Sequence, residues 1–544
     1  MSARLATSCD LERPELWSLK GEGNANWVFS YAGTSPNLVG KVLRVRKPKP
    51  PPEPEHLALE DAVWGPVLGN RAAADGSDSA ADRERAYVQL LLAPLLGPQH
   101  IPLQQQVYPS LKFLQRLLHC SGCLWSLPDG KVGVAGVAAP LPAVLMPDVT
   151  LLPASSPSGT SGSVAEGAAG PVVCIELKPK CGFINTCSTV HPANRGLKHS
   201  RSRYQLHQLL KLEEGSIDAC STYDPCDLFS GEPGRLRAAL AALLEQPQNN
   251  LRLFLGGQSQ QLPQRPQTCA ETGAAGEPAG EQQVPQHAAP QQVAQQQEQQ
   301  QNRPQQQPQE REQARAGAAL EALLVGLLPQ PYGQRRGALV ELLAAVLEVE
   351  GVLPRLLQAQ QQCPYDVEGV YQLYCSLAGV TGTLSSASTC STAAEGLDDA
   401  SDTDAATDAD AGSHVAALQQ LLALPLHKAY AVLRSYVVAA TAKDCAIMIT
   451  LQRLTGAAAP AATAAAGADG SLHSSNDGTS PQHLSRHGPL GCIYSSAAGA
   501  WYAYQLALVD LDQKALAKIV KHSELDAAIL VAARRHLAAH HDDG

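Results

Sequence analysis

Aromatic residues are scarce in this 544-residue chain: Phe, Trp and Tyr together make up 4% of it. Nucleic-acid binders interleave rings with cations, and few rings stand near the basic stretches here, so no nucleic-acid partner is expected. No run of about 18 apolar residues is available to span a bilayer. No apolar segment follows a basic start, as a secretory signal requires. The 14 cysteines show no disulfide-like spacing, and read as small core thiols of a reducing compartment, cytoplasmic or nuclear. Cys120-x-x-Cys123 beside His119 has no companion pair at the spacing zinc requires. The phosphate-binding spacing of a Walker loop is missing, because Gly40-Lys41 is followed by Val42 and lacks the upstream glycine. So are the His-Arg-Asp and Asp-Phe-Gly segments of a protein kinase.

What is present is a globular framework diluted by biased inserts. The apolar fraction, 44%, suffices for a substantial core. The length suits two or three domains or one two-lobed enzyme with insertions. The Gln/Pro tract 258–316, the Ser/Thr/Asp-rich 380–413 and the Ala/Gly/Ser/His-rich 456–490 are expected to be disordered, since such compositions bury too little apolar surface. Much of the net charge of −10 sits between Asp398 and Asp410, so the overall sign says little about a ligand. Residues 16–47 read as two strands around a glycine-rich turn. Residues 143–146 and 172–177 read as short strands, and 87–96, 200–213 and 338–348 as helices.

Several constellations carry possible chemistry. Gly21 to Asn26 form a glycine turn beside a strand bearing Arg44, suited to phosphate oxygens or simply to a hairpin. Arg44, Arg46, Lys47 and Lys49 read either as a solvated strand end or as a phosphate clamp. Glu176, Lys178 and Lys180 would share one face of a strand that begins as core, either facing a site or dressing an edge. Arg203, His207 and Lys211 fall on one helical face and could grip several phosphates. Asn250, after Gln248 and Asn249, could hold a phosphate oxygen or Mg²⁺. Asp444 precedes a core strand and could take a proton from a hydroxyl, though aspartate is also a common turn residue. Asp510 ends an apolar strand, as a Mg²⁺ ligand or a helix N-terminal carboxylate would. Lys514, Lys518 and His522 follow at intervals of four.

The segments GEGNANWVFSYAGTSPNLVGKVLRVRK, YVQLLLAPLLGPQH, CIELKPKCGF, YQLHQLLKL, YDPCDLFSG, PQNNLRLFLGG and VVAATAKDCAIMI resemble, in order, those of the inositol-pentakisphosphate 2-kinases, especially the plant-type branch. The Glu-x-Lys-Pro-Lys motif of that family stands at Glu176 to Lys180. The resemblance covers most of 16–256 and, more loosely, 318–378, 415–454 and 501–530.

It implies an α+β, two-lobed fold distantly similar to protein kinases, with lobes at 1–150 and 151–544. It implies ATP-dependent phosphorylation of the 2-hydroxyl of inositol pentakisphosphate by a monomer using Mg²⁺; the alternative is an inactive inositol phosphate sensor or scaffold. Gly23, Asn24, Ala25, Asn26 and Arg44 would meet ATP phosphates. Pro147, Asp148 and Val149 would form the adenine hinge, largely through backbone. Glu176, Leu177, Lys178, Asn249 and Asp510 would complete the nucleotide site, with Asp510 and Asn250 at Mg²⁺. Asp444 would be the catalytic base. Lys49, Lys131, Lys180, Arg203, His207, Lys211, Asn250, Lys514, Lys518 and His522 would bind the substrate. Lys518 and His522 stand where the family commonly has Arg and Tyr. Gln372 and Leu422 stand where plant-type members carry zinc ligands, so no zinc site is expected.

Overall fold

The computed structural model describes residues 10–23, 25–47, 54–69, 79–122, 143–153, 170–260, 318–379, 404–455, 483–487 and 490–541. Asn24, Lys49, Lys131 and most of the three biased inserts lie outside the described residues.

Two antiparallel sheets organise the chain. The first has five strands in the order β1-β2-β3-β5-β4: β1 Trp17–Glu22, β2 Asn26–Tyr31, β3 Lys41–Arg46, β4 Gln105–Val107 and β5 Ala143–Pro147. Residues 16–47 thus hold three strands rather than the expected two, because Gly40, at φ 71°, turns the chain into a separate β3. Period-two alternation puts Trp27, Phe29 and Tyr31 on one face. There, with Leu43 and Val45, they pack against Phe113, Leu114 and Leu117 of a covering helix.

The second sheet has seven strands in the order β10-β11-β12-β9-β6-β7-β8. They are β6 Val173–Leu177, β7 Leu251–Leu255, β8 Gln258–Gln260, β9 Ala446–Arg453, β10 His483–His487, β11 Leu490–Ser495 and β12 Ala500–Val509. All five residues of β6 are buried, which accounts for its unbroken apolar run. Val173, Ile175, Ile447, Ile449, Leu506 and Leu508 join the main core on one face. Cys174, Met448 and Ala507 meet Val149 on the other.

The helices are α1 Pro54–Leu68, α2 Ser79–Ala86, α3 Ala93–Leu96, α4 Leu111–Cys120 (which covers the first sheet), α5 Pro192–Lys198, α6 Arg203–Glu213, α7 Pro225–Leu228 and α8 Pro233–Glu245. There follow α9 Arg335–Glu350, α10 Val352–Gln360, α11 Val367–Ala378, α12 Asp404–Leu422, α13 Leu426–Asp444 and α14 Lys518–His541. A π-helical turn, Tyr87–Leu92, joins α2 to α3.

Three elements enter stretches expected to be disordered. Helix α12 begins at Asp404, in an alanine-rich stretch that favours the helix. Strands β8 and β10 form where pairing with β7 and β11 overrides composition. Among the described residues no helix is long and apolar enough to cross a membrane.

Candidate functional site

Strand direction assembles the first half of the site. Leu177 of β6 pairs with both Leu251 and Ile447, and Val509 of β12 pairs with Ala446. The C-terminal ends of β6 and β12 and the N-terminal ends of β7 and β9 therefore meet at one sheet edge. That edge gathers Glu176, Lys178, Lys180, Asn249, Asp444 and Asp510. Pro179 has no N–H to continue the ladder, so β6 stops at Leu177. The Lys178 N–H then donates to the Asn250 carbonyl at 2.8 Å. Glu176, Lys178 and Lys180 consequently do not share a strand face: Lys180 lies on a turn, at φ 63°. Asp510 also has a positive φ, 61°, a region non-glycine residues enter at a cost and often at functional sites.

Glu176 is buried at 7% exposure. Burial, with help from Asp510, raises its pKa against Lys178 and Arg252. Asn250, expected at the cation, is instead buried with its amide donating to the Tyr204 hydroxyl at 2.7 Å. It packs the β7 end, whereas Asn249 beside it is exposed.

The second half is a cavity of about 320 Å³ next to this edge. Helix α6 lines it with Arg203, His207 and Lys211, as the spacing of four predicts. The adjoining face of α6 packs Leu206, Leu209 and Leu210 with Ile529, Ala532 and Ala533 of α14. A capping box fixes the start of α6: Ser202 accepts from the Gln205 N–H, and Gln205 from the Ser202 N–H. Lys180, the α13 end at Lys443 and Asp444, and His522 of α14 add to the charged lining, and Lys198, Arg201, Asp366 and Asp526 line it as well.

Cations dominate this cavity. Burial, then Lys211, Arg203 and Lys180, push His207 down to about 4. Burial, then Lys514 and Arg203, do the same to His522, whose Nδ1 sits 3.1 Å from the Tyr436 hydroxyl. Burial lowers the Lys180 pKa; Asp444 opposes this while Lys178, Lys211 and Lys514 reinforce it. Burial lowers Lys211 too. For Asp444 burial acts upward, but Lys514, Lys180 and His522 outweigh it and hold the carboxylate ionised. Lys514 is its salt-bridge partner. Lys514 lies before α14 rather than on it, and Lys518 is the first residue of that helix; Lys518 does not line the cavity, but its charge reaches His522.

The first sheet contributes through its glycine turn. The Gly23 N–H donates to the Asn26 carbonyl at 2.9 Å and the Lys47 N–H to the Ala25 carbonyl at 2.8 Å. Asn26 donates to Asp512 Oδ2 at 3.1 Å, and Arg44 salt-bridges the same oxygen. Asp512 thus ties both to the end of β12. Burial and the Asp512 charge raise Glu84 to about 7. Asp512 was visible two residues after Asp510, but nothing local marked Glu84, which arrives from α2. At the expected hinge, Pro147 pairs with Lys41. The Asp148 carboxylate is taken up by Lys20 and Thr150, and the Val149 carbonyl accepts from the Thr450 hydroxyl at 2.5 Å.

Asp366, Glu368 and Asp526 also cluster closely enough to suggest a metal. Lys198 occupies their centre, at 2.5, 3.0 and 2.7 Å respectively. An ammonium already satisfies these carboxylates, so they form a structural knot.

The inositol-pentakisphosphate 2-kinase family model matches residues 20–528. The chain belongs to the inositol-pentakisphosphate 2-kinase family. An Arabidopsis thaliana member is 30% identical over 451 residues, covering 80% of this chain and 81% of that protein. One from Oryza sativa subsp. indica is 26% identical over 531 residues, covering 94% and 92%. One from Cryptococcus neoformans is 30% identical over 257 residues, covering 45% of this chain and 52% of that protein. The family match spans the second sheet, all of the first but the start of β1, the glycine turn, the edge and the charged residues of the cavity.

Proposed function

We propose that this chain transfers the γ-phosphoryl group of ATP to the 2-hydroxyl of inositol pentakisphosphate, giving inositol hexakisphosphate and ADP. One observation carries the reading: an ionised carboxylate, Asp444, stands where a cation-rich cavity meets the strand edge that bears Glu176 and Asp510. A polyanion fits the cavity, because its phosphates replace mutual repulsion among Lys180, Arg203 and Lys211 with charge-assisted hydrogen bonds. The two sheets are read as the cores of two lobes, 1–150 and 151–544, with ATP between them on Gly23 to Asn26, Arg44, the Val149 region, Glu176, Lys178 and Asn249.

Asp510 and its neighbour Glu176 offer the hard oxygens that suit Mg²⁺, which commonly takes one or two carboxylates and completes its shell with phosphates and water. When bound, the ion would neutralise charge on the transferring group. The protein's own steps are positional. Lys180, Arg203 and Lys211 orient the ring through its phosphates. Asp444 aligns the 2-hydroxyl and accepts its proton as the new O–P bond forms and the bond to ADP breaks. Lys514 keeps Asp444 charged and in place. Incubation with ATP, Mg²⁺ and inositol pentakisphosphate, followed by phosphorus NMR of the product, tests this. Hexakisphosphate with stoichiometric ADP is expected; ligand binding with no ADP release would identify a sensor instead.

A further inference from the structure

The turn that carries Lys180 and the helix end that carries Asp444 are tied by one residue that touches neither side chain. Gln360, the last residue of α10, is fully buried. Its Oε1 accepts the Gly182 N–H at 2.8 Å. Its Nε2 donates to the Lys180 carbonyl at 2.7 Å and to the Ala442 carbonyl at 3.4 Å. A primary amide has two N–H donors beside its acceptor, and both are used. Flipping the amide would set its oxygen against two carbonyls, so the orientation follows from the partners.

We propose that Gln360 is a positioning residue for phosphoryl transfer, fixing Lys180 relative to Asp444; this rests on the functional reading above. The Lys180 turn needs an external clamp. Its backbone is left-handed at a non-glycine residue. Gly182 is pressed so close to Phe229 that a Cβ would lie 2.1 Å from the ring. Tyr223 holds the same turn by donating to the Pro179 carbonyl at 2.7 Å. Gln360 alone among these partners also reaches α13, two residues before Asp444. No other side chain reproduces the pattern: asparagine is one methylene short, methionine lacks polar hydrogens, and ionised glutamate has no donor. A displacement of about 1 Å at a reacting centre costs up to about 100-fold in rate.

The test compares Gln360→Met, Gln360→Glu and Tyr223→Phe in the full chain, with folding checked by circular dichroism and thermal melting. Gln360→Met should lower kcat about 10–100-fold with KM for ATP within about twofold. Gln360→Glu should be worse at about pH 8 and recover relative to Gln360→Met towards about pH 6, because a buried carboxyl takes up a proton and regains one donor. Tyr223→Phe, which loosens the turn but leaves the Gln360 link to α13 in place, should melt earlier and lose clearly less kcat than Gln360→Met. Normal kcat in a folded Gln360→Met overturns the proposal. So does an equal kcat loss in Tyr223→Phe and Gln360→Met, or a Gln360→Glu profile parallel to Gln360→Met. If Gln360→Met fails to fold, the pH profile of Gln360→Glu relative to wild type decides: recovery towards about pH 6 supports the proposal, and a profile parallel to wild type overturns it. A wild-type chain that makes no hexakisphosphate sinks the functional reading instead.

Discussion

Two neighbouring groups of charge face the same cavity and are built in opposite ways. Around Lys198, one ammonium meets three carboxylates from α11 and α14, all within 3.0 Å. Burial pulls that lysine's pKa down, but Asp366, Asp526 and Glu368 together raise it. The group is internally satisfied. Around Lys180, His207, Lys211 and His522 the electrostatic neighbours are mostly other cations, with Asp444 the carboxylate common to Lys180 and His522. That group is incomplete without an anion. Arg203 links the two, 3.5 Å from Asp526 while lining the cavity. Carboxylates that already share a lysine at hydrogen-bond distance hold elements of a fold together, whereas cations whose electrostatic neighbours are mostly cations mark where a ligand supplies the counter-charge.

Substitutions can break this contrast. The largest effect is expected at Asp444: Asp444→Asn should cut kcat by about 10²–10⁴-fold while calorimetry still detects pentakisphosphate binding, and near-normal turnover would remove Asp444 from the chemistry. Lys198→Met should instead strike stability, by about 3–5 kcal/mol in denaturant unfolding, because it strands the buried Asp366 and Asp526 and the half-buried Glu368. A variant as stable as wild type would mean the cluster is not closed.

Lys180→Ala should weaken pentakisphosphate binding about 10-fold and ATP binding less, an order checked by titrating each ligand separately. The reverse order would assign Lys180 to the nucleotide. The smallest effect concerns protons. His207 and His522 are neutral near pH 7 in the empty cavity, both depressed to about 4. Bound phosphates favour the charged imidazolium, so the bound-state pKa exceeds the free one. Binding must then take up protons and tighten as pH falls. Calorimetry in buffers of different ionisation heat should show this uptake shrinking in a His207→Gln, His522→Gln double variant. An unchanged uptake would place the titration elsewhere, for instance on the ligand.

Local periodicity made part of this legible. The α6 stripe of Arg203, His207 and Lys211 followed from a spacing of four, and β6 from its apolar run. Asp444 and Asp510 were readable because each flanks a core strand. What escaped depends on long-range pairing. Asn250 looks like any polar residue until Tyr204, from α6, meets its amide. The tie from Arg44 and Asn26 to Asp512 spans well over 400 positions of sequence, and Lys198 finds Asp526 across 328. No window-based pattern reports such partners. The first part of helix α12, from Asp404, escaped for another reason: composition alone suggested solvation there, while the helix runs on to Leu421, which packs into the core.

The left-handed backbone at Lys180 and Asp510 sets stability against chemistry. Glycine at either position would relieve conformational strain of about 1–2 kcal/mol, partly offset by the greater freedom it gives the unfolded chain. It would also delete a cation or a carboxylate from the site. A version of this protein optimised only to resist heat would discard both side chains, so its melting temperature and its turnover cannot be raised together at these two corners.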